Sequence, residues 1–203
     1  VMEFLDGRPF DQVIAAEAPL HPALAIRYLE EILDALKAAH EAGVIHRDIK
    51  PSNIFLVESG RTRPYIKLLD FGIAKTNAQK TGSTPQTRQS GVIGTPDYIA
   101  PEQAQGREIS AATDLYAIGC MAFELLTGQR PFEGKNYNEV IYRIGTEPFP
   151  DAHAVDSTVP QAVADVIRRG GAKASGDRWS SLRDFRRALV TAARDAGLRL
   201  PGY

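Results

Sequence analysis

The sequence has few of the features that mark a disulfide-stapled, zinc-binding or membrane-spanning protein. Its 203 residues include one cysteine, Cys120, which cannot form an internal disulfide, and no C-x-x-C pair or His/Cys cluster suggests a zinc site. No apolar run approaches the roughly 18 to 20 residues that a transmembrane helix needs. The single thiol is typical of a reducing compartment, and we expect no membrane contact within the chain.

Charge is also close to balance, with 24 basic and 25 acidic residues and a formal net charge of −1. Such a chain has no basic surplus that would indicate a nucleic-acid partner or an anionic membrane surface. Hydrophobic residues make up 43% of the composition, and the length is sufficient for one sizeable core. We therefore expect one domain over residues 1–203 and no binding of nucleic acid.

Hydrophobic spacing predicts a mainly helical chain with one small region of strands. Short apolar runs on either side of a polar turn predict strands at 54–57 and 65–69. A run at 114–126 is apolar nearly all round, which predicts a helix buried on every side, capped by Ser110 and ended by Gly128. Amphipathic spacing predicts further helices at 22–42, 136–144, 160–169 and 181–193.

Polar composition sets residues 76–90 apart from the rest of the chain. The segment is rich in Thr, Ser, Gln and Gly and has almost nothing to bury, so it is predicted to be a mobile loop outside the core. A loop of this length inside a compact domain is usually functional.

Three short motifs occur in order along the chain: H-R-D-I-K-P-S-N at 46–53, D-F-G at 70–72 and A-P-E at 100–102. Singly, each has a plain structural explanation, because an isolated D-F-G is usually a turn and an Asn after Pro-Ser is usually a cap. As an ordered set they resemble the signature of protein kinases, since independent turns have no reason to reproduce that order and spacing. The resemblance covers nearly the whole chain. It implies a protein-kinase-like α+β fold, here the mainly α-helical large lobe with short β-hairpin segments.

The start of the kinase signature is missing. Neither G-x-G-x-x-G-x-V nor V-A-I-K occurs before Asp48. Residues 1–7 resemble the hinge that joins the small ATP-covering lobe to the large lobe in this family. We therefore expect the small lobe to be absent, with the chain beginning in the middle of a kinase domain.

The resemblance assigns the chemistry to a few residues, because the protein mostly positions groups and neutralises phosphate oxygens in phosphoryl transfer. Asp48 would orient the substrate hydroxyl and accept its proton, and Lys50 would place a positive charge on the transferred phosphate. Asn53 and Asp70 would hold Mg²⁺, which suits oxygen ligands. The H-R-D-x-K form, together with Thr95 in G-T-P-D-Y, resembles kinases that act on Ser and Thr.

Adenine recognition would use the hinge. The resemblance implies the Glu3 carbonyl and the Leu5 amide and carbonyl as hydrogen-bonding groups, with Met2 at the gatekeeper position. Phe55 would form the floor under the adenine ring. The alternative for Phe55 is a strand residue that simply faces the core, and the sequence does not choose between the two.

Other motif residues would be structural in this family. His46 would pack in a hydrophobic spine with Phe71 and an anchoring Asp114, which makes it a core histidine and not a base. Glu102 and Arg178 would form a buried ion pair that joins the end of the activation segment to the helical base.

Arg47 directly precedes Asp48 and would be regulatory by resemblance, pairing with a phosphate on the activation loop. Thr87 and Ser90 are the best candidates to carry that phosphate. The alternative is a solvated, disordered loop whose hydroxyls have no function.

Two further features receive ordinary structural interpretations. His40, at the end of its predicted helix, is interpreted as a satisfied core histidine. The pair Gly170-Gly171 departs from the usual family pattern, and glycine in a helix costs roughly 1 kcal/mol relative to alanine. We therefore expect the helix at 160–169 to end early or to be loose.

The resemblance thus implies a serine/threonine protein kinase that transfers the γ-phosphate of ATP to protein hydroxyls, with ATP and Mg²⁺ as cofactors. Residues 94–103 and 114–120 resemble the eukaryotic-like kinases of bacteria in particular. We expect a cytoplasmic location, or the cytoplasmic part of a membrane-anchored protein, and a kinase dimer as a possible assembly. The alternative is a non-catalytic, kinase-like scaffold. Intact Asp48, Asn53 and Asp70 favour the enzyme, because a scaffold needs none of them.

Overall fold

A computed structural model describes residues 5–58, 63–69 and 96–200 of the chain. Across these ranges the backbone is mainly helical, with one small sheet placed early in the sequence. The helices described there are α1 (Phe10–Glu17), α2 (Pro22–Glu41), α3 (Pro101–Ala104), α4 (Ala111–Thr127), α5 (Tyr137–Thr146), α6 (Ala152–Val155), α7 (Gln161–Gly170) and α8 (Leu182–Asp195). All five predicted helices are therefore confirmed, with ends that differ by at most three residues.

The sheet has three antiparallel strands in the order β1 (Gly7–Pro9), β2 (Ile54–Val57) and β3 (Tyr65–Leu68). The two predicted strands pair directly, with Phe55 opposite Lys67. The third strand was not predicted, because three residues that include Gly and Pro carry no strand pattern. Its register puts Pro9 opposite Phe55 and brings the start of the chain beside the central strand.

Helix α4 is the buried centre of the fold, as its composition predicts. Every residue from 113 to 127 is buried. The Ser110 hydroxyl accepts a hydrogen bond from the amide of Ala112, and the backbone N–H of Ser110 donates to Oγ1 of Thr113. Gly128 ends the helix in the left-handed region with φ of 69°. Such a helix is a rigid base for groups attached to its first turn.

Helix α2 brings the chain to the first motif. Its buried face includes Leu29, Leu33 and Leu36, and it packs against α8 and against α4. The helix ends as predicted at Gly43, whose φ of 75° is accessible to glycine at little cost. The backbone then turns into the segment that carries His46.

Side chains of α2 also hold β3. Oε2 of Glu31 accepts a hydrogen bond from the amide of Ile66 at 2.8 Å, and Nη2 of Arg27 donates to the carbonyl of Pro64 at the same distance. The two side chains form an ion pair of 3.3 Å with each other. The strand that leads to the D-F-G motif is therefore attached to the long helix.

The glycine pair after α7 serves close packing and is not a loose end. The helix stops at Gly170, and both Gly170 and Gly171 are buried. A Cβ on Gly171 would lie 2.1 Å from Cδ2 of Phe149, and a Cβ on Gly119 of helix α4 would lie 2.9 Å from the Gly171 nitrogen. The expectation of a loose helix is therefore wrong. The absence of a side chain at Gly171 makes room for the Phe149 ring against α4.

Within the described ranges, the structure contains no helix long and apolar enough to cross a membrane.

Candidate active site

The structure describes ten of the predicted site residues, among them Asp48, Lys50 and Asn53. The other seven described ones are Leu5, His46, Arg47, Phe55, Glu102, Asp114 and Arg178. The predicted residues outside the described ranges are Met2, Glu3, Asp70, Phe71, Thr87, Ser90 and Thr95.

Asp114, in the first turn of the buried helix α4, holds the backbone of the H-R-D motif. Its Oδ2 accepts a hydrogen bond from the amide of His46 and its Oδ1 accepts one from the amide of Arg47, both at 2.9 Å. His46 is fully buried, and its Nε2 lies 3.3 Å from the carbonyl oxygen of Leu69. One carboxylate thus attaches two successive peptide groups to the core. The His46 side chain lies beside Leu69, the residue that precedes Asp70.

Arg47 has an unusual backbone conformation, with φ of 67°. Residues other than glycine rarely occupy this left-handed region, because the Cβ approaches the following carbonyl oxygen. The side chain of Gln103 also reaches this point, and its Nε2 donates to the Arg47 carbonyl at 2.9 Å. The turn delivers Asp48 to the surface, where its side chain is 31% exposed.

Three motif side chains converge at Asp48. Its Oδ2 lies 3.3 Å from Nζ of Lys50 and 3.3 Å from Nδ2 of Asn53. Asn53 Nδ2 also donates to the backbone carbonyl of Asp48 at 2.8 Å. A 3₁₀ turn, Pro51–Asn53, provides this geometry because it folds Asn53 back toward the start of the loop. The result is a solvent-accessible carboxylate oriented by an amide and flanked by a cation.

The arrangement of Asn53 fits the predicted role of a magnesium ligand. Asp48 presents only acceptors to this side chain, so the NH₂ end must face Asp48 and the carbonyl oxygen Oδ1 points elsewhere. Within the part of the chain that the structure describes, no donor is hydrogen-bonded to Oδ1. The backbone carbonyl oxygen of Asn53, as distinct from Oδ1, accepts a hydrogen bond from the amide of Leu69 at 2.8 Å. The residue before Asp70 therefore lies beside Asn53. A hard cation takes oxygen ligands of this kind.

The sheet register separates Phe55 from the core. Ile54 and Leu56 point to the buried face, and both are almost fully buried. Successive side chains of a strand point to opposite faces, so Phe55 lies on the other face, where it is only half-buried beside Pro9 and Lys67. This position argues against the interpretation of Phe55 as a core residue and leaves the ring free to contact a ligand.

Glu102 and Arg178 form a bidentate ion pair in the interior. Nη1 and Nη2 of Arg178 donate to the two carboxylate oxygens of Glu102 at 2.8 and 2.7 Å. Thr113 donates to the same carboxylate, and the guanidinium also donates to the carbonyl oxygens of Ala112 and Ala172. Burial by itself raises the pKa of the Glu102 carboxyl, but the hydrogen bonds from Arg178 and Thr113 outweigh it and hold the pKa below its usual value.

A second polar cluster attaches the residues after Thr95 to helix α4. The Tyr98 hydroxyl donates to Glu124, and Nη1 of Arg130 lies 2.7 Å from Oδ2 of Asp97. Burial raises the pKa of Asp97, and the positive charge of Arg130 opposes the rise. The segment that begins at Pro96 is thus held on the same helix that anchors His46 and Arg47.

Sequence reasoning missed two residues of this site. Nε2 of His40 lies 2.7 Å from Oδ2 of Asp114, so the histidine contacts the residue that anchors the H-R-D segment and is not only a satisfied core residue. Gln103 donates to the Arg47 carbonyl, and the A-P-E motif points only to its neighbour Glu102. The partners are 74 and 56 residues apart in the sequence, and no local pattern signals contacts of that range.

Comparison with known proteins agrees with this geometry. The family model described as protein kinase domain matches residues 1–188. The serine/threonine-protein kinase Pkn1 of Myxococcus xanthus is 41% identical over 192 residues, which cover 95% of this chain and 27% of that protein. The serine/threonine-protein kinase PrkC of Bacillus subtilis is 36% identical over 192 residues, covering 95% of this chain and 28% of that protein.

The crystal structure of the kinase domain of Mycobacterium tuberculosis PknI is similar in fold. It superposes with a TM-score of 0.71 at 28% identity, covering 95% of this chain and 64% of that one. The chain spans less than a third of the length of the two curated relatives. Its mainly helical fold, its motifs and its matches agree, and the chain belongs to the protein kinase domain family.

Proposed function

We propose that this chain carries the catalytic loop of a Mg-ATP-dependent serine/threonine protein kinase. The observation that supports it best is the convergence of Asp48, Lys50 and Asn53 within hydrogen-bonding or ion-pairing distance, on a loop attached to the buried helix. The relatives Pkn1 and PrkC are named serine/threonine-protein kinases, which supports the same substrate class. Thr95, outside the described residues, would contribute to the choice of Ser and Thr.

Asp48 would receive the proton of the substrate hydroxyl. Its carboxylate is partly exposed, so a hydroxyl can approach it, and the Asn53 amide fixes its orientation. The neighbouring ammonium group of Lys50 lies where it can neutralise charge on a transferred phosphate. Positioning of this kind accounts for most of the catalytic effect in phosphoryl transfer.

The same loop would hold the cofactor. Oδ1 of Asn53 and the carboxylate of Asp70 are the proposed Mg²⁺ ligands, and Mg²⁺ when bound would neutralise the ATP phosphates. Phe55 would lie under the adenine ring, since its side chain is on the sheet face away from the core. Leu5, with Met2 and Glu3, would supply the hinge contacts to adenine.

The test is a phosphorylation assay on the full-length protein. Asp48→Asn should lower kcat by roughly two orders of magnitude or more, since one oriented proton acceptor is lost while packing is unchanged. Asp195→Asn is the matched control, because this carboxylate is exposed at the end of α8, and it should retain wild-type turnover. Wild-type turnover in the Asp48 variant would refute the assignment.

The second candidate is a non-catalytic, kinase-like scaffold; residues 1–203 contain neither G-x-G-x-x-G-x-V nor V-A-I-K. A purified protein of residues 1–203 alone should show negligible phosphoryl transfer, because the groups that cover and grip the ATP phosphates in this family are not in it. The full-length protein discriminates between the candidates, since only the enzyme transfers phosphate from Mg-ATP to a protein.

Assembly and location remain predictions. A kinase dimer would be detected by sedimentation of the full-length protein, and a cytoplasmic location would be detected by fractionation. Neither result is needed for the catalytic proposal.

A further inference from the structure

Two side chains hold the peptide groups on either side of Arg47. Oδ1 of Asp114 accepts from the Arg47 N–H at 2.9 Å, and Nε2 of Gln103 donates to the Arg47 carbonyl at 2.9 Å. Between these contacts the backbone has φ of 67°. A left-handed conformation at a non-glycine residue costs on the order of 1–2 kcal/mol, so it persists only where neighbouring groups enforce it.

Gln103 is itself fixed at both ends of its amide. Its Oε1 accepts a hydrogen bond from the Ala100 N–H at 3.0 Å, at the start of helix α3. Because Ala100 N–H can only donate and the Arg47 carbonyl can only accept, the orientation of the Gln103 amide is determined. The side chain is half-buried, so little water competes for these two contacts.

Helix α3 is in turn attached to the core. Glu102, the neighbour of Gln103, makes the bidentate pair with Arg178 and accepts from Thr113 of helix α4. Gln103 therefore extends from a helix that is attached to the core, so its hydrogen bond to the Arg47 carbonyl can hold that peptide group in place.

We propose that Gln103 is a positioning residue for Asp48, acting through the Arg47 carbonyl. The peptide group that Gln103 holds is the one that joins Arg47 to Asp48, so its orientation sets the direction in which the Asp48 side chain leaves the backbone. The inference rests on the proposed function for its kinetic consequence, while its structural part stands by itself. Gln103 would thus couple the end of the A-P-E segment to the catalytic loop.

Two substitutions separate the contacts of Gln103. Gln103→Glu keeps an oxygen that accepts from Ala100 N–H but has no donor for the Arg47 carbonyl. Gln103→Met has a similar length and loses both contacts. Gln105 is exposed two residues later, and Gln105→Glu and Gln105→Met are matched controls with the same chemical changes.

Two measurements test the proposal. Amide hydrogen exchange of the purified full-length protein, followed for a peptide that spans residues 44–50, should be faster by about tenfold or more in both Gln103 variants and unchanged in the controls. In the phosphorylation assay kcat should fall roughly 10- to 100-fold with KM for ATP within about twofold, since misplacement of a catalytic group affects the chemical step.

Each outcome decides one question. Gln103 variants that match the Gln105 controls in exchange and in kcat overturn the proposal. A general loss of protection over the whole chain in both variants also overturns it, because the role would then be merely structural. If the wild-type protein transfers no phosphate, the proposed function fails, whereas the exchange experiment still decides whether Gln103 holds the loop.

Discussion

His40 and Asp114 are 74 residues apart in the sequence, yet Nε2 of the histidine lies 2.7 Å from Oδ2 of the aspartate. The same carboxylate accepts from the amides of His46 and Arg47. His40 is therefore a third partner of the carboxylate that anchors the H-R-D segment, and it connects the end of helix α2 to that anchor.

His40→Ala should destabilise the protein and lower kcat. A hydrogen bond to a charged group is worth about 1.5–3 kcal/mol, and its loss leaves the Asp114 carboxylate with one partner fewer in the interior. His40→Gln can place an amide nitrogen near the position of Nε2 and should recover most of the stability and turnover. Urea unfolding and steady-state kinetics measure both effects. Equal behaviour of the Ala and Gln variants would contradict the role of this contact.

Arg178→Met should be among the most destabilising single substitutions in the chain. It leaves the buried Glu102 carboxylate without its counterion, and breaking a buried pair at one partner typically costs about 3–5 kcal/mol. The double variant Glu102→Gln, Arg178→Met should lose much less than the sum of the two single variants, because no unpaired charge remains. Additive losses in a double-mutant cycle of unfolding free energies would contradict the coupling.

The same pair predicts a pH dependence of stability. The pKa of Glu102 is lower in the folded protein than its usual value of 4.5, so the folded state favours the ionised form. The stabilisation is complete above that value and is lost as the pH falls through the lowered pKa. The difference in unfolding free energy between the wild type and Glu102→Gln should therefore shrink as the pH falls below 4.5. Glu108→Gln, at an exposed position, is the control, and a difference that does not change with pH would argue against the assignment.

Gly171→Ala tests the close packing behind helix α4. The new Cβ would lie 2.1 Å from Cδ2 of Phe149, so the ring must move out of its place among Tyr116, Phe123 and Phe132. Overpacking of this kind costs about 1–3 kcal/mol. Gly176→Ala is the matched control, because nothing lies within 4 Å of the added Cβ. Similar unfolding midpoints for the two variants would show that the Phe149 contact does not restrict position 171.

The regulatory prediction concerns Arg47. Its Nε is buried and has no hydrogen-bond partner among the described residues, which is consistent with a guanidinium that binds an anion. A phosphate on Thr87 or Ser90 would add roughly −1.5 to −2 charge that can pair with it. We expect phosphate on these residues in the active full-length protein, and a loss of activity in a Thr87→Ala, Ser90→Ala double variant.

Thr81→Ala, Ser83→Ala is a control in the same polar segment, farther along the chain from Thr95 than Thr87 and Ser90 are. Combining the Thr87 and Ser90 changes with Arg47→Asn should reduce activity no further than the phosphosite changes alone, since both remove the same interaction. Full activity in the unphosphorylatable variant would leave Arg47 without this role and favour the alternative of a loop whose hydroxyls have no function.

Sequence was sufficient for the five long helices, for strands β2 and β3 and for the order of the kinase motifs, because these depend on neighbours along the chain. Ser110 and Gly128 mark the ends of the buried helix by local hydrogen bonding and backbone conformation, and both positions are as predicted. The residues of the H-R-D-x-x-x-x-N motif are likewise close in sequence, so the convergence of Asp48, Lys50 and Asn53 needs only one short turn.

Tertiary structure alone decided which distant side chains complete the site. His40 and Gln103 belong to no motif, and they reach Asp114 and the Arg47 carbonyl only because the fold brings the end of α2 and helix α3 to the H-R-D segment. Packing also explains Gly171, where local propensity predicts a loose end and the Phe149 ring instead requires the absence of a side chain. Such contacts depend on how whole elements fit together in a dense interior, and helical or strand periodicity carries no information about that fit.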